Sequence, residues 1–369
     1  MRIPLFLFRY GAHLSKEQVV ELVAPHPDTL ELVTSWLEHN GLGVPPSSIS
    51  MTHGGDWLTV TDVPVSQANE LLGASYQLYY HDGWNDTILR TASYALPAAL
   101  HLHVKTIVPT TAFTPTRFRQ QTSRRPLDEE AVLNATSGEP VNMLSHRQTK
   151  NIEPSGLREL YQTTAYVPPV PASSRLGIVG YNSEFPDLVD QATFMHRYMT
   201  DAQEDTIHWA TINPNVPRGI PSNRANMFAQ YAGAIANPIP ITYYMGTGVP
   251  LSNNPTKLVI PSANDAIHQW LIFANDQPYN PHTIGLMSDG HREGNLPPSY
   301  MDALCDLFKK LGARGTSVLV PSGDSGVGSD RYRSFCVNFP ASCTCGFQSF
   351  LATLQALHSR RYKLLTGSF

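Results

Sequence analysis

Charge is scarce in this chain. Lys, Arg, Asp and Glu make up 15% of 369 residues, against about a quarter in ordinary soluble domains, which excludes a polyelectrolyte or a charged coiled coil. An excess of positive charge is also missing. The 26 basic and 30 acidic residues leave a net −4, so there is no basic field of the kind nucleic acid demands. No apolar run approaches the roughly 18 to 20 residues of a membrane helix. Met1 to Phe8 holds one Arg and an apolar stretch shorter than a secretory leader, so no signal peptide is visible. Only four cysteines occur, Cys305, Cys336, Cys343 and Cys345, and the sequence leaves their pairing open. Cys343-Thr344-Cys345 has the wrong spacing for a zinc knuckle and no matching His pair nearby, so metal binding is discarded. No internal repeat is present.

Proline, in contrast, is plentiful at 30 of 369 residues. The hydrophobic fraction of 41% can fill sizeable cores, and at about 150 residues per domain the length suits two domains or one large domain with appendages. Asn85-Asp86-Thr87 and Asn134-Ala135-Thr136 are glycosylation sequons.

Residues 1–108 read as an α+β unit. Ser15 with Gln18 is a capping-box pattern opening a helix to about Leu22, and Pro27 to Asn40 is a second helix. Strands follow at Ser48 to Thr52 and Trp57 to Thr61, a helix at Val65 to Leu72, and strands at Tyr76 to Tyr80 and Ile88 to Tyr94. Residues 109–174 shift to Thr, Pro, Ser, Gln and Arg, with Arg124-Arg125-Pro126 and Pro168-Pro169-Val170-Pro171, and read as an exposed linker.

From 175 to 343 the pattern is β/α alternation. Strands are expected at Leu176 to Tyr181, Thr206 to Ile212, Ile241 to Gly246, Thr283 to Met287 and Ser317 to Pro321. The helices between them are expected at Asp187 to Met199, Asn223 to Ala236, Ala263 to Asn275 and Ser299 to Leu311. Five strands alternating with helices predict an α/β fold, a mostly parallel sheet covered on both faces. Ligands in such sheets sit at the carboxyl ends of strands, which directs attention to Ser322 to Gly328. Residues 344–369 form a divergent tail, where Phe350, Leu351, Leu354 and Leu357 recur at helical spacing ahead of Arg360, Arg361 and Lys363. So short a stretch reads as a frayed end before it reads as a membrane-binding helix.

Gly323-Asp324-Ser325-Gly326 looks like a chymotrypsin nucleophile loop. Chymotrypsin is an all-β barrel, however, and this tetrapeptide follows the last strand of a β/α series. A Gly-rich turn with Asp324 bonding the backbone is the plain alternative. A phosphate loop fails for want of its Lys-Ser/Thr.

A wider set of motifs carries a resemblance. Tyr10-Gly11-Ala12-His13-Leu14-Ser15 followed by a helix and Pro25, then Leu157-Arg158-Glu159-Leu160-Tyr161, Ala225-Asn226 and Gln230-Tyr231, occur in order. Ala313-Arg314-Gly315, Val318-Leu319, Ser322 to Gly328 and Phe339-Pro340-Ala341-Ser342-Cys343 continue the series. Together they resemble the sedolisin-family serine-carboxyl peptidases of the tripeptidyl-peptidase type. The likeness implies a ferredoxin-like propeptide ahead of a subtilisin-like domain, cleavage of a peptide or protein substrate in acid by Ser, Glu and Asp, a secreted or acidic location, and the chain's own propeptide as partner. A carboxylate base suits acid solution, where a His would already be protonated. The resemblance puts Asp324 in the oxyanion hole, where a protonated carboxyl donates to the developing oxyanion, and leaves Ser325 no nucleophilic role.

The departures matter as much. The family's acid pair lies in Glu-Ala-Asn-Leu-Asp-Val-Gln, with its acids at i and i+4. This chain reads Arg224-Ala225-Asn226-Met227-Phe228-Ala229-Gln230. Arg224 cannot take a proton and Phe228 can neither orient nor accept one. Arg224 reads as a solvated or ion-paired cation, alternatively one that neutralises Asp324, and Phe228 reads as a core aromatic. No Gly-Thr-Ser follows Cys343, so the family's nucleophile and the calcium loop near it have no counterpart, and no cofactor is expected. The sequence therefore predicts a silent, incomplete peptidase proenzyme, or alternatively a pseudopeptidase or propeptide-like inhibitor that binds an active relative. Seven of the 14 histidines, His13, His26, His39, His53, His81, His101 and His103, lie in the N-terminal unit. They suggest either a proton-sensitive docking switch or scattered surface groups.

Overall fold

The computed structural model describes residues 11–39, 45–61, 63–80, 87–113, 152–167, 174–180, 184–199, 207–212, 221–245, 263–287, 291–321, 337–343 and 347–349. The N-terminal unit opens with α1 (Lys16–Val23), whose capping box is formed as its sequence pattern predicts: Ser15 Oγ accepts from the Gln18 amide at 3.2 Å and Gln18 Oε1 accepts from the Ser15 amide at 2.9 Å. Next come α2 (Pro27–His39), an antiparallel pair β1 (Ile49–Met51) and β2 (Leu58–Val60), α3 (Val65–Leu71), and a second antiparallel pair β3 (Gln77–Tyr80) and β4 (Thr87–Arg90). Its own small core gathers Val33, Leu37 and Leu100. Strand β4 stops short of the expected Tyr94 because Arg90 turns inward. Its buried guanidinium donates to the Ala112 carbonyl at 2.8 Å, and Thr91 then bonds Thr110 outside any strand pair.

The stretch expected to be wholly linker contains structure. Thr110 and Ala112 are buried, and Pro154 at the first turn starts α4 (Pro154–Leu160), which packs on the second helix of the following unit. Proline suits that position, since its missing N–H would be unpaired there anyway.

The larger unit holds β5 (Leu176–Val179), α5 (Leu188–Tyr198), β6 (Ile207–Thr211), α6 (Asn223–Ala236), β7 (Ile241–Met245), α7 (Ala263–Asp276), β8 (Thr283–Leu286), α8 (Pro298–Ala313), β10 (Ser317–Pro321) and β12 (Phe347–Ser349). A small antiparallel pair, β9 (His291–Arg292) with β11 (Asn338–Phe339), stands beside them. Every pairing in the main sheet is parallel, in the order β12-β10-β8-β5-β7-β6. The sheet thus has six strands where five were expected. β12 lies inside the segment read as a tail, and three residues are too few to show a strand period. Residues 350–369, which include the anticipated amphipathic stretch, lie outside the described residues.

Helices cover both faces. Tyr243 and Tyr244 are neighbours on β7 and must point to opposite sides. Tyr243 reaches the Glu184 carbonyl ahead of α5 at 3.0 Å, whereas Tyr244 meets Trp270 and Phe273 of α7 edge-on. Helix α5 packs along α6, with Gln191 donating to the Ala229 carbonyl and Phe194 against Tyr231. Helices α7 and α8 pair on the other face. The connection from β5 to β6 runs outward across the sheet and the next runs back, yet both helices share a face, so the two crossovers have opposite hands. A left-handed crossover is rare, because a right-twisted strand normally feeds a right-handed turn. A disulfide between Cys305 of α8 and Cys343 pins the segment after β11 to this layer.

Candidate functional site

The chain moves from β5 out to β6, returns to β7, then crosses β5 to reach β8. Strand order reverses beside β5, and the carboxyl ends of β5, β7 and β8 there form the crevice where parallel sheets bind ligands. Gly180 follows β5 in this crevice. A Cβ at that position would strike the Tyr243 hydroxyl and lie 2.7 Å from the Glu184 carbonyl, so only glycine lets the phenol through. The phenol donates to the Glu184 carbonyl and lies 3.1 Å from Met287 Sδ. Burial pushes the Tyr243 ionisation up strongly; the Glu184 carboxylate adds to this and Arg224 opposes it. At acid and neutral pH the group is a neutral donor.

Helix α6 begins at the same crevice. Ser222 caps it, its Oγ accepting from the Ala225 amide at 3.0 Å and lying 3.2 Å from Glu184 Oε2. Asn226 joins α6 to α5 twice: its Oδ1 accepts from the Asp187 amide and its Nδ2 donates to Asp190 Oδ2, both at 2.7 Å. That double bond gives a structural use to the Ala225-Asn226 motif.

Arg224 is half-buried, and its Nη2 donates to the Met287 carbonyl at the carboxyl end of β8. It is therefore a hydrogen-bonded cation at the reversal point. Phe228, one turn along, is partly buried and packs against the main core. The crevice thus presents a guanidinium, a neutral phenol and an aromatic ring, none of which accepts a proton in acid. Among the described residues, Glu184, Asp187 and Asp190 are carboxylates around it: Glu184 accepts from Ser222, Asp187 caps α5 by accepting from the Val189 amide, and Asp190 accepts from Asn226. Asp324 and the rest of Ser322 to Gly328 lie outside the described residues. Tyr243, Gly180 and Met287 were not singled out in the sequence. The one available signal was a glycine next to the last residue of an expected strand, Leu176 to Tyr181. Among the described residues no group of three His, Cys, Asp or Glu is placed to hold a metal. Among them, too, no helix is long and apolar enough to cross a membrane.

The N-terminal unit rests on α7 and α8. The Leu14 amide donates to the Ala313 carbonyl at 2.9 Å. Lys16 reaches Asp276 Oδ1 at 3.0 Å and also its carbonyl, Asp56 pairs with Lys310, and Lys105 lies 2.6 Å from Asp306 Oδ2. Trp57 stacks on His268 with centroids 4.4 Å apart. Of the N-terminal histidines, His13 lies against Gly315 and His53 lines the seam. His26 pairs with Asp28 and His103 with Thr29 inside their own unit.

Residues 8–113 match the family model described as Pro-kumamolisin, activation domain. Tripeptidyl-peptidase SED2 of Arthroderma otae is 30% identical over 351 residues, covering 91% of this chain and 57% of that protein. Tripeptidyl-peptidase SED4 of the same organism is 28% identical over 347 residues, covering 90% and 55%. The chain therefore spans little more than half the length of the curated relatives it matches. Among solved structures, Pseudomonas sedolisin, a serine-carboxyl proteinase complexed with two molecules of pseudo-iodotyrostatin, aligns with TM-score 0.41 and 16% identity over 54% of this chain and 53% of that one.

Proposed function

From a chain that resembles the sedolisin-family serine-carboxyl peptidases along some nine-tenths of its length, we propose a proenzyme-type protein whose peptidase crevice has lost its proton-transfer chemistry. The observation that carries this is Arg224. The resemblance assigns its position to the family's general base, yet here a guanidinium donates to the Met287 carbonyl. Phe228, at the position of the orienting acid, packs into the core. Asp324 keeps the oxyanion-hole position by resemblance, and a lone oxyanion donor supplies only part of the rate. Losing members of a catalytic unit costs on the order of 10⁴ to 10⁶ in rate. Purified protein taken to pH 3 to 5 is therefore expected to release nothing measurable from a tripeptide amide. Hydrolysis that vanished on Asp324→Ala would overturn the proposal. The disulfide joining Cys305 and Cys343 supports an oxidising, extracellular setting.

A second reading is favoured by the seam between the units: the N-terminal unit binds peptidase domains, its own or that of an active relative. Full-length chain added to an active sedolisin-type peptidase is then expected to slow it. Unchanged turnover at a large excess of the chain would remove this reading.

A further inference from the structure

Among the described residues, three ion pairs cross the seam, and their polarity alternates. The N-terminal unit contributes Lys16, Asp56 and Lys105, and the α/β unit answers with Asp276, Lys310 and Asp306. The two α8 residues are one turn apart, so they occupy one face of one helix, and Asp276 is the last residue of the neighbouring α7. The pairs differ in surroundings. Lys310 and Asp56 are 13% and 20% exposed, whereas Lys105 and Asp306 are about half exposed. Asp306 also takes a bond from Lys309 on its own helix at 2.8 Å. The Lys310–Asp56 pair is therefore the one least screened by solvent, and the Lys105–Asp306 pair is the most exposed.

Lys16 has a second task. The last carbonyls of a helix lack partners within it. At the end of α7, Arg314 takes those of Asn275, Gln277 and Pro278, at 2.9, 2.7 and 3.0 Å, while Lys16 takes that of Asp276. A cation from one unit thus completes the terminus of a helix in the other, where the helix dipole favours positive charge. Burial lowers the ionisation of Arg314, and the nearby Glu17 and Asp276 oppose that shift.

We propose that this acid, base, acid pattern on α7 and α8 is a recognition code by which the N-terminal unit selects the peptidase domain it docks on. Complementary charges across an interface add specificity more than affinity, because a mismatched partner meets like charge at close range. A domain with Lys at the Asp276 or Asp306 position, or Asp at the Lys310 position, would be refused. The proposal names the partner chemistry of the binding reading above, but it is tested inside one chain and can stand when inhibition of a relative fails.

The test is charge reversal in the full-length protein, read by hydrogen exchange over residues 266–276 and 300–313. Exchange of β5 and β7 reports whether the fold survives. Asp56→Lys and Lys310→Asp are each expected to raise exchange along α7 and α8 by about tenfold or more with β5 and β7 unchanged. The double variant, which restores opposite charges in reversed order, is expected to regain most of the protection. A double variant no better protected than the singles overturns the proposal, as do single reversals that leave α7 and α8 as protected as in the parent. Should a reversal also loosen β5 and β7, Asp56→Asn with Lys310→Met gives the same cycle without like-charge contact, and additive effects in that cycle refute the coupling.

Discussion

Arg224, at the position the resemblance gives to the family's general base, fills its place in the crevice with a bonded cation. A carboxylate at that position would face the Met287 carbonyl with nothing to donate, whereas a guanidinium finds an acceptor where the strand ends. Hydrogen bonds from charged donors are worth about 1.5 to 3 kcal/mol, so Arg224→Ala is expected to lower stability by roughly 2 kcal/mol. The urea midpoint should fall with the slope unchanged. Buried tyrosines in both units predict an alkaline signature. Burial raises the ionisation of Tyr243 and Tyr244 and pushes that of Tyr76 up to about 12. A phenol whose folded pKa lies above its unfolded value near 10 adds stability that is complete below pH 10 and lost as pH rises toward the folded value. Phenolate absorbance is therefore expected to rise in two steps, with the late one coinciding with unfolding between pH 10 and 12. A single step near pH 10 in folded protein would contradict this burial. The sequence revealed the departure at Arg224 and Phe228, since a frame of Ala, Asn and Gln brackets both. What Arg224 bonds was hidden, because Met287 is 63 residues away in the chain and meets it only through strand order.

Element ends were readable where a local rule fixes them. The capping box set the start of α1, and α6 and β10 keep the expected bounds Asn223–Ala236 and Ser317–Pro321. Reading failed where a distant partner decides. β12 is a strand because β10 offers an unpaired edge, with Leu319, Val320 and Pro321 aligned to residues 347–349. Three residues of sequence cannot announce that. The cysteine pairing was likewise undecided among four candidates, and the fold resolves it by bringing α8 beside the turn after β11. Closing 38 residues by a crosslink removes unfolded-state entropy worth about 3 to 4 kcal/mol at most. Reductant is therefore expected to lower the melting temperature by several degrees, and Cys305→Ser to reproduce that shift. Equal melting with and without reductant would mean that the bond adds nothing to stability.

At the scale of the molecule, composition pointed to two units and periodicity gave the α/β class of the second. How the units meet was illegible, since its contacts join residues more than 200 positions apart, such as Lys16 with Asp276 and Asp56 with Lys310. Loop closure over such spans depends only weakly on length, so the primary structure carries no mark of it. One contact at the seam is of another kind. The bond from the Leu14 amide to the Ala313 carbonyl is made wholly of main chain, and the adjoining Gly315, at φ +87°, leaves room for the His13 ring, which a Cβ would approach to 2.6 Å. A bond between backbones is inherited with the fold and survives nearly every substitution, while a lysine or an aspartate can be exchanged in a single mutational step. Related chains can therefore drift apart in whom they accept and keep unaltered the anchor that makes acceptance possible.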